Sequence, residues 1–217
     1  MSELALWQTP DPSVAPLVVS ILRQAGPDAY GRLVIDGPTS AAAHAALDSV
    51  APEQLIAGPI RQIDGARGAL AGLWLSHGAL IESHQISQDL LSPTGSFWHA
   101  ILHRLEGDFS NSKYWYRRCE THHVIKMMGA IVSSLAGDLA SDRVVAHALR
   151  DGWNPLGFVD LVRTIHKKPS DPRYELAVRL QRAEWIGLFN YCVREAVDAG
   201  HDGLDSWDAR ITGPKGG

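Results

Sequence analysis

Apolar residues recur along this chain at spacings of three and four, the period of helices that bury one side. The clearest case is Ser96 to Glu106, where Trp98, Ile101, Leu102 and Leu105 fall on one face. Gly107 stops that helix, because glycine enters the left-handed region cheaply. Asp108 or Ser110 then caps a second helix through Tyr114, Trp115 and Arg118, which predicts a helical hairpin over about 96–119. Upstream, Asp64 to Leu90 reads as a long helical segment with Leu70, Leu73, Trp74, His77, Ile81, His84 and Gln88 on one broad face. That stripe turns from apolar to polar partway along, and Gly78 is the place where the segment can break. Val124 to Leu135, with Met127, Met128, Ile131 and Val132, reads as a core helix. Asn154-Pro155 and Asp171-Pro172 are both start signals, a cap followed by proline at the first helical position. The second opens the longest helix, Pro172 to about Ala199, which Gly200 ends.

The remaining segments are shorter. Residues 1–12 carry two prolines and read as an extended arm, followed by a helix from Val14 to Gln24 with Leu17, Val18, Ile21 and Leu22 inward and a stop at Gly26-Pro27. The apolar run inside Tyr30–Pro38 has no visible partner strand and reads as a loop or helix end. Thr39 or Ser40 caps an alanine-rich helix through Leu47, with His44 at its surface, and Pro52 to Ile56 forms another helical turn. Ser141 or Asp142 caps a helix that ends at Asp151-Gly152. The expected architecture is all-α: an irregular single-domain helical bundle of seven to nine helices over residues 1–200, with a flexible glycine-rich tail over 201–217.

Charge and composition narrow the function. A net charge of −4 and a pI of about 6.2 give no basic face for nucleic acid. Two cysteines, Cys119 and Cys192, lie too far apart in sequence for a C-x-x-C pair and suggest no disulfide framework. The first residues are neither basic nor apolar enough for a signal peptide, and no apolar run approaches the roughly 20 residues of a membrane span. A cytoplasmic protein with no membrane and no nucleic-acid partner is therefore expected. Seven tryptophans serve either as bulky core filling or as the walls of an aromatic pocket.

Candidate chemistry concentrates in the hairpin. His99, His103 and Glu106 follow at i, i+4 and i+7 and form a second stripe beside the apolar one. Two imidazoles at i, i+4 can share one metal ion, although the general-base glutamate of an H-E-x-x-H helix is missing here. The plain alternative is that both histidines pack at the edge of the core. The short connection Leu91-Ser92-Pro93-Thr94-Gly95 makes the preceding segment an antiparallel neighbour, which brings His84 toward His99 and His103. Three imidazoles with an open position are the layout of a catalytic zinc or non-haem iron centre, and histidine beside carboxylate equally suits acid–base work. His84, His99 and His103 are thus the candidate ligands of a divalent metal, zinc or iron. Glu106 and Glu184 are the candidate catalytic carboxylates. Glu184 lies on the stripe of the longest helix, so it is paired there, with Arg104 or Arg118, or serves as a ligand or base. Arg104, Asp108, Tyr114 and Trp115 are candidate contacts to a ligand or partner. His122, His123 and His147 read as helix-end or surface residues. No nucleophile elbow, phosphate loop, dinucleotide fingerprint or metalloprotease signature occurs.

From Gly107-Asp108-Phe109 through Ser112, Tyr116 and Cys119, with Ala100 in the helix before, the chain resembles one tetratricopeptide or Sel1-like repeat. The resemblance covers about one 34-residue unit, and no second copy follows at a fixed period. It implies hairpin geometry and a capacity to hold a partner protein. The longer string from Phe97-Trp98-His99 to Arg117-Arg118 is similar to a group of bacterial proteins with no assigned function. Two readings follow: a metal-dependent or acid–base enzyme acting on a small molecule in a His/Glu pocket, and a non-catalytic module that binds a partner protein.

Overall fold

In the computed structural model, which describes residues 11–24, 30–35, 41–119 and 121–200, cap chemistry decides where most helices begin. In chain order they are α1 (Pro16–Gln24), α2 (Ala41–Asp48), α3 (Ile63–Ser76), α4 (Leu80–Asp89), α5 (Pro93–Glu106), α6 (Phe109–Tyr116), α7 (His123–Ala136), α8 (Arg143–Ala148), α9 (Pro155–Ile165) and α10 (Arg173–Val197). Short 3-10 turns lie at Pro52–Leu55 and Gly137–Ser141. Among the described residues there is no strand, only an isolated antiparallel bridge between Val14 and Ile56. The expected all-α architecture is the one adopted. The expected arm over 1–12, save its last two residues, the stop at Gly26-Pro27, the caps at Thr39 and Ser40 and the tail after Gly200 lie outside the described residues.

At α5 to α9 a side chain satisfies amide groups that the first turn leaves open, whereas α3, α4 and α10 start without one. Ser92 accepts from the Gly95 amide at 3.2 Å, Asp108 from Asn111 at 3.1 Å and Asn154 from Leu156 at 3.1 Å. Asp142 accepts from Val144 at 2.9 Å and Val145 at 3.1 Å. His122 caps α7 through its ring, Nδ1 accepting from the Val124 amide at 3.2 Å. Pro93 and Pro155 occupy first-turn positions that need no N–H donor.

The buried residues form one continuous apolar cluster to which every helix but α4 contributes a buried side chain; Leu80 and Ile86 of α4 and Leu139 of the 3-10 turn after α7 pack against it. Its tightest seam joins α3 to α10. Gly65 faces the backbone of Ala196 and Cys192, Gly68 faces the Cys192 side chain, and Gly72 receives the indole of Trp98. A Cβ on Gly65 would stand 2.5 Å from the Ala196 nitrogen, a distance that side chains do not adopt. Trp185 Nε1 donates to the Gly72 carbonyl at 2.7 Å across the same seam. Three glycines inside a helix weaken it on their own, by about 1 kcal/mol each relative to alanine, so close packing must supply the compensation.

Four features depart from the sequence expectation. The segment Asp64 to Leu90 is two helices, because Gly78 adopts φ 73 and lets α4 leave α3 at an angle. His77 therefore stays with the core, against the carbonyls of Leu73 at 2.9 Å and Ile21 at 3.3 Å, while His84 goes elsewhere. Ile81 and Leu17, expected inward, are exposed. His44, expected at the surface, is half-buried between Glu82, at 2.8 Å, and the Trp74 ring. The stretch His123–Ser141 is 19 residues long with mean hydropathy 1.3, enough by length and composition to cross a membrane, where no such run was expected. Its helical axis breaks at Gly137, however, and its regular part, α7, is about 21 Å long at 1.5 Å per residue. Met127 and Val124 from α7 pack against Gly187 of α10, so its apolar side serves the core.

The α3–α10 seam yields a direct test. Gly65→Ala should lower stability by about 1–3 kcal/mol in urea unfolding despite alanine's better helix propensity. An unchanged or raised midpoint would mean that the two backbones do not meet there.

Candidate metal centre

Helices α4 and α5 run antiparallel across the short turn at 90–92, which sets His84 level with the α5 face that carries His99 and His103. One ligand nitrogen from each of the three rings lies within 4.8 Å of the others. Ring centroids are 4.7 Å apart for His84 and His99, 5.9 Å for His84 and His103, and 5.7 Å for His99 and His103. His99 and His103 are buried and His84 is half-buried. Bonds of about 2.0–2.1 Å from zinc place tetrahedral nitrogens about 3.4 Å apart. Ring rotations of roughly an ångström close that difference, and the partly exposed His84 has room to make them.

The ligand set is held from behind. His103 Nδ1 meets Glu106 Oε2 at 2.8 Å, one turn along the same helix. That contact places the Nδ1 proton toward the carboxylate and leaves Nε2 with a lone pair. The Asn111 side-chain amide donates to that Nε2 at 3.1 Å, a bond that a metal on His103 would have to displace. Carboxylate–histidine pairs of this kind orient metal-bound imidazoles and raise their basicity. His99 stacks on Trp115 with centroids 4.3 Å apart and planes 14° from parallel. Its Nδ1 is buried and makes no hydrogen bond, and the residue is 2% exposed. Burial, followed by the neighbouring His84 and His103, pushes the His99 pKa down to about 4; the carbonyls of Gly95 and Ser87 offset this only in part. At neutral pH His99 is therefore an uncharged imidazole with an unused nitrogen, the state a metal requires of it.

Of the three histidines, His99 lines a cleft of about 510 Å³. His99 and Trp115 form one side, and Ser87, Gln88, Ser92, Ser96 and Arg118 supply polar groups. Tyr114 stands beside Trp115, half of it exposed, with the Arg118 guanidinium 5.7 Å from its ring.

The other sequence candidates lie in different places. Glu184 is fully buried and paired with Arg104, Nη2 to Oε2 at 2.6 Å. Tyr116 donates to its other oxygen at 2.8 Å, and Arg104 Nη1 donates to the Tyr116 hydroxyl. The Arg104 guanidinium lies 4.6 Å from the Phe158 ring centroid. Burial opposes the charge on Arg104, but Glu184 and the two phenols facing it hold its proton more firmly than usual. Arg104 and Glu184 thus complete each other inside the core, and neither reaches the cluster or the cleft. Asp108 is the exposed cap of α6, its carboxyl held below the usual range by the Asn111 amide and the Ser110 hydroxyl. The structure adds Asn111 and Arg118 to the site residues found by sequence reasoning. Asn111 faces His103 across the Gly107 turn, eight residues on, a relation that helical spacing does not reveal. The hairpin itself is present, with φ 84 at Gly107 and the Ser112 hydroxyl donating to the Ala100 carbonyl at 2.7 Å.

No protein-family model matches the chain, and no curated protein or solved structure matches it.

Two predictions follow from these two buried arrangements. In metal-free protein, the unfolded chain protonates its histidine near 6.5 while folded His99 resists until about 4. The folded state is thus favoured above pH 6.5 and loses stability as pH falls through that window, by on the order of 2–3 kcal/mol. Urea titrations between pH 7 and 4 should show this slope, and His99→Gln should flatten it. For the ion pair, Glu184→Ala should cost about 3–5 kcal/mol by stranding Arg104, whereas Arg104→Met with Glu184→Leu should be far milder. Equal losses in the single and double variants would mean that the pair is not closed in solution.

Proposed function

We propose that the protein is a metal-dependent enzyme whose divalent ion, zinc in the first instance, is held by His84, His99 and His103 and acts on a small molecule in the adjoining cleft. The observation that carries this reading is the convergence of three imidazoles, of which His99, with an unused buried nitrogen, also lines a cleft of about 510 Å³. A divalent ion on three neutral imidazoles keeps an open position and brings the pKa of a bound water to about 7, which suits hydrolysis or hydration. The residues of the chain do the rest. Glu106 orients His103, Trp115 fixes the plane of His99, and half-buried His84 closes the set. Acid–base catalysis without metal is the weaker alternative, because a histidine with a pKa near 4 is a poor base at neutral pH. Glu106 takes a positioning role in this scheme and Glu184 none at the reacting centre. Two free, buried cysteines accord with a cytoplasmic setting.

The second reading, a tetratricopeptide-like module that binds a partner protein, draws on the exposed Tyr114 at 51% and on the hairpin geometry. Trp115 is turned toward His99, which leaves that surface with a single projecting ring.

Elemental analysis of the purified, untagged protein decides between them. We expect close to one equivalent of zinc in the wild type and little in His99→Ala/His103→Ala. Glu106→Gln should keep the fold but weaken zinc by about 10–100-fold. Metal-free wild type that also fails to take up added zinc, iron or manganese would sink the proposal, and a partner lost on Tyr114→Ala would then favour the second reading.

A further inference from the structure

We infer that the cleft beside the histidine centre binds a small organic carboxylate with an apolar body, and that Arg118 anchors its carboxylate. The inference rests on the reading of this cleft as the substrate site, and it names the substrate class.

Charge is the first ground. The chain carries a net charge of −4, yet the residues that line the cleft include one arginine and no aspartate or glutamate. Arg118 is an exposed side chain held by aromatic faces, 5.5 Å from the Trp115 centroid and 5.7 Å from that of Tyr114. Its Nη1 donates to the Tyr114 hydroxyl at 3.4 Å. No carboxylate among the described residues pairs with it, in contrast to Arg104, Arg163, Arg173 and Arg194. A guanidinium beside two aromatic rings, with only the long bond to Tyr114 engaged, has donors left for an oxyanion.

Position is the second ground. Trp115 touches Arg118 on one side and His99 on the other, so the cation and the candidate metal centre share one aromatic wall. The buried, unpartnered Nδ1 of His99 belongs to that wall. Ser92, Pro93 and Ser96, at the positive end of the 14-residue helix α5, complete the same side.

Shape selects the rest of the molecule. Leu90, Leu91 and Pro93 supply the apolar part of the lining, and Leu91 is 97% exposed. A leucine left in water beside a cleft gains from any apolar body laid against it. A single guanidinium matches a carboxylate monoanion better than a phosphate dianion, which calls for more cations.

The test is calorimetric titration of the full chain with benzoate, with benzamide and inorganic phosphate as controls, on chelator-stripped and on zinc-loaded protein. Benzoate should bind both forms. Arg118→Gln should weaken it by at least about tenfold, and Arg118→Lys should keep part of the affinity, because the carboxylate is bound through charged hydrogen bonds. Benzamide should not bind, and phosphate should bind more weakly than benzoate. Benzoate binding that survives Arg118→Gln, benzamide binding as tight as benzoate, or no benzoate binding to either form would overturn the inference. The stripped protein separates the two ideas. If it binds benzoate through Arg118 but takes up no zinc, the carboxylate site stands and the metal reading falls. If zinc binds and benzoate does not, the reverse holds.

Discussion

Arg104 has no route to water, and the arrangement of the hairpin follows from that. A fully buried guanidinium demands a buried carboxylate, and the one it finds is Glu184, in the middle of α10. Tyr116, near the end of α6, bridges the two charges. Four groups on α5, α6, α9 and α10 therefore share one geometry, since Phe158 covers the guanidinium face. A pair of this kind adds little net stability over an apolar substitute, but it punishes misalignment, because each charge alone is far costlier than the two together. It acts as a register device. The rotation of α5 about its axis is set by where Arg104 must point, and His103, the residue before it, is thereby turned about 100° away toward α4.

That rotation explains how one helix serves two environments. The Trp98, Ile101, Leu102 and Leu105 face is core. The His99 and His103 stripe faces α4, a helix that has few buried apolar residues of its own. Between them His99 is too buried to be charged readily, and its Nδ1 has no hydrogen bond. Desolvation, and then the neighbouring His84 and His103, favour its neutral ring. A ring that is neutral at physiological pH needs no proton removed before it can ligate, and a single divalent ion can satisfy several lone pairs at once.

Much of this was legible in the residues. The start signals at Asn154-Pro155 and Asp171-Pro172, the Gly107 stop and the i, i+4 pair of His99 and His103 are local, and local spacing on a helix is a geometric certainty. The approach of His84 was legible too, because a short turn leaves antiparallel packing as the simple outcome. What escaped depends on relations between distant segments. The bend at Gly78 redirected half of a periodic stripe, so His77 and His84 parted company and Ile81 faced water. Asn111 and Arg118 joined the site only through the fold of the hairpin. The glycines of α3 read as helix weakeners until the backbone of α10 is laid against them. Glu184 had two readings on its stripe, and only the position of Arg104 separates a buried ion pair from a ligand.

The cleft's position follows from the same hairpin. α5 begins at its floor with Ser92 and Pro93, and α6 ends at its rim with Trp115 and then Arg118. Any shift of one helix along the other would separate the arginine from the histidines, and the buried Arg104–Tyr116–Glu184 linkage, which includes the residue next to Trp115, opposes it. A rigid, water-excluded joint thus stands directly behind an open, positively charged face. Preorganisation of that kind is what a small anionic ligand needs, since a single charged contact must be met without the entropy cost of ordering the site. The structural ion pair and the candidate site are in this sense one device: the first holds the register that gives the second its shape.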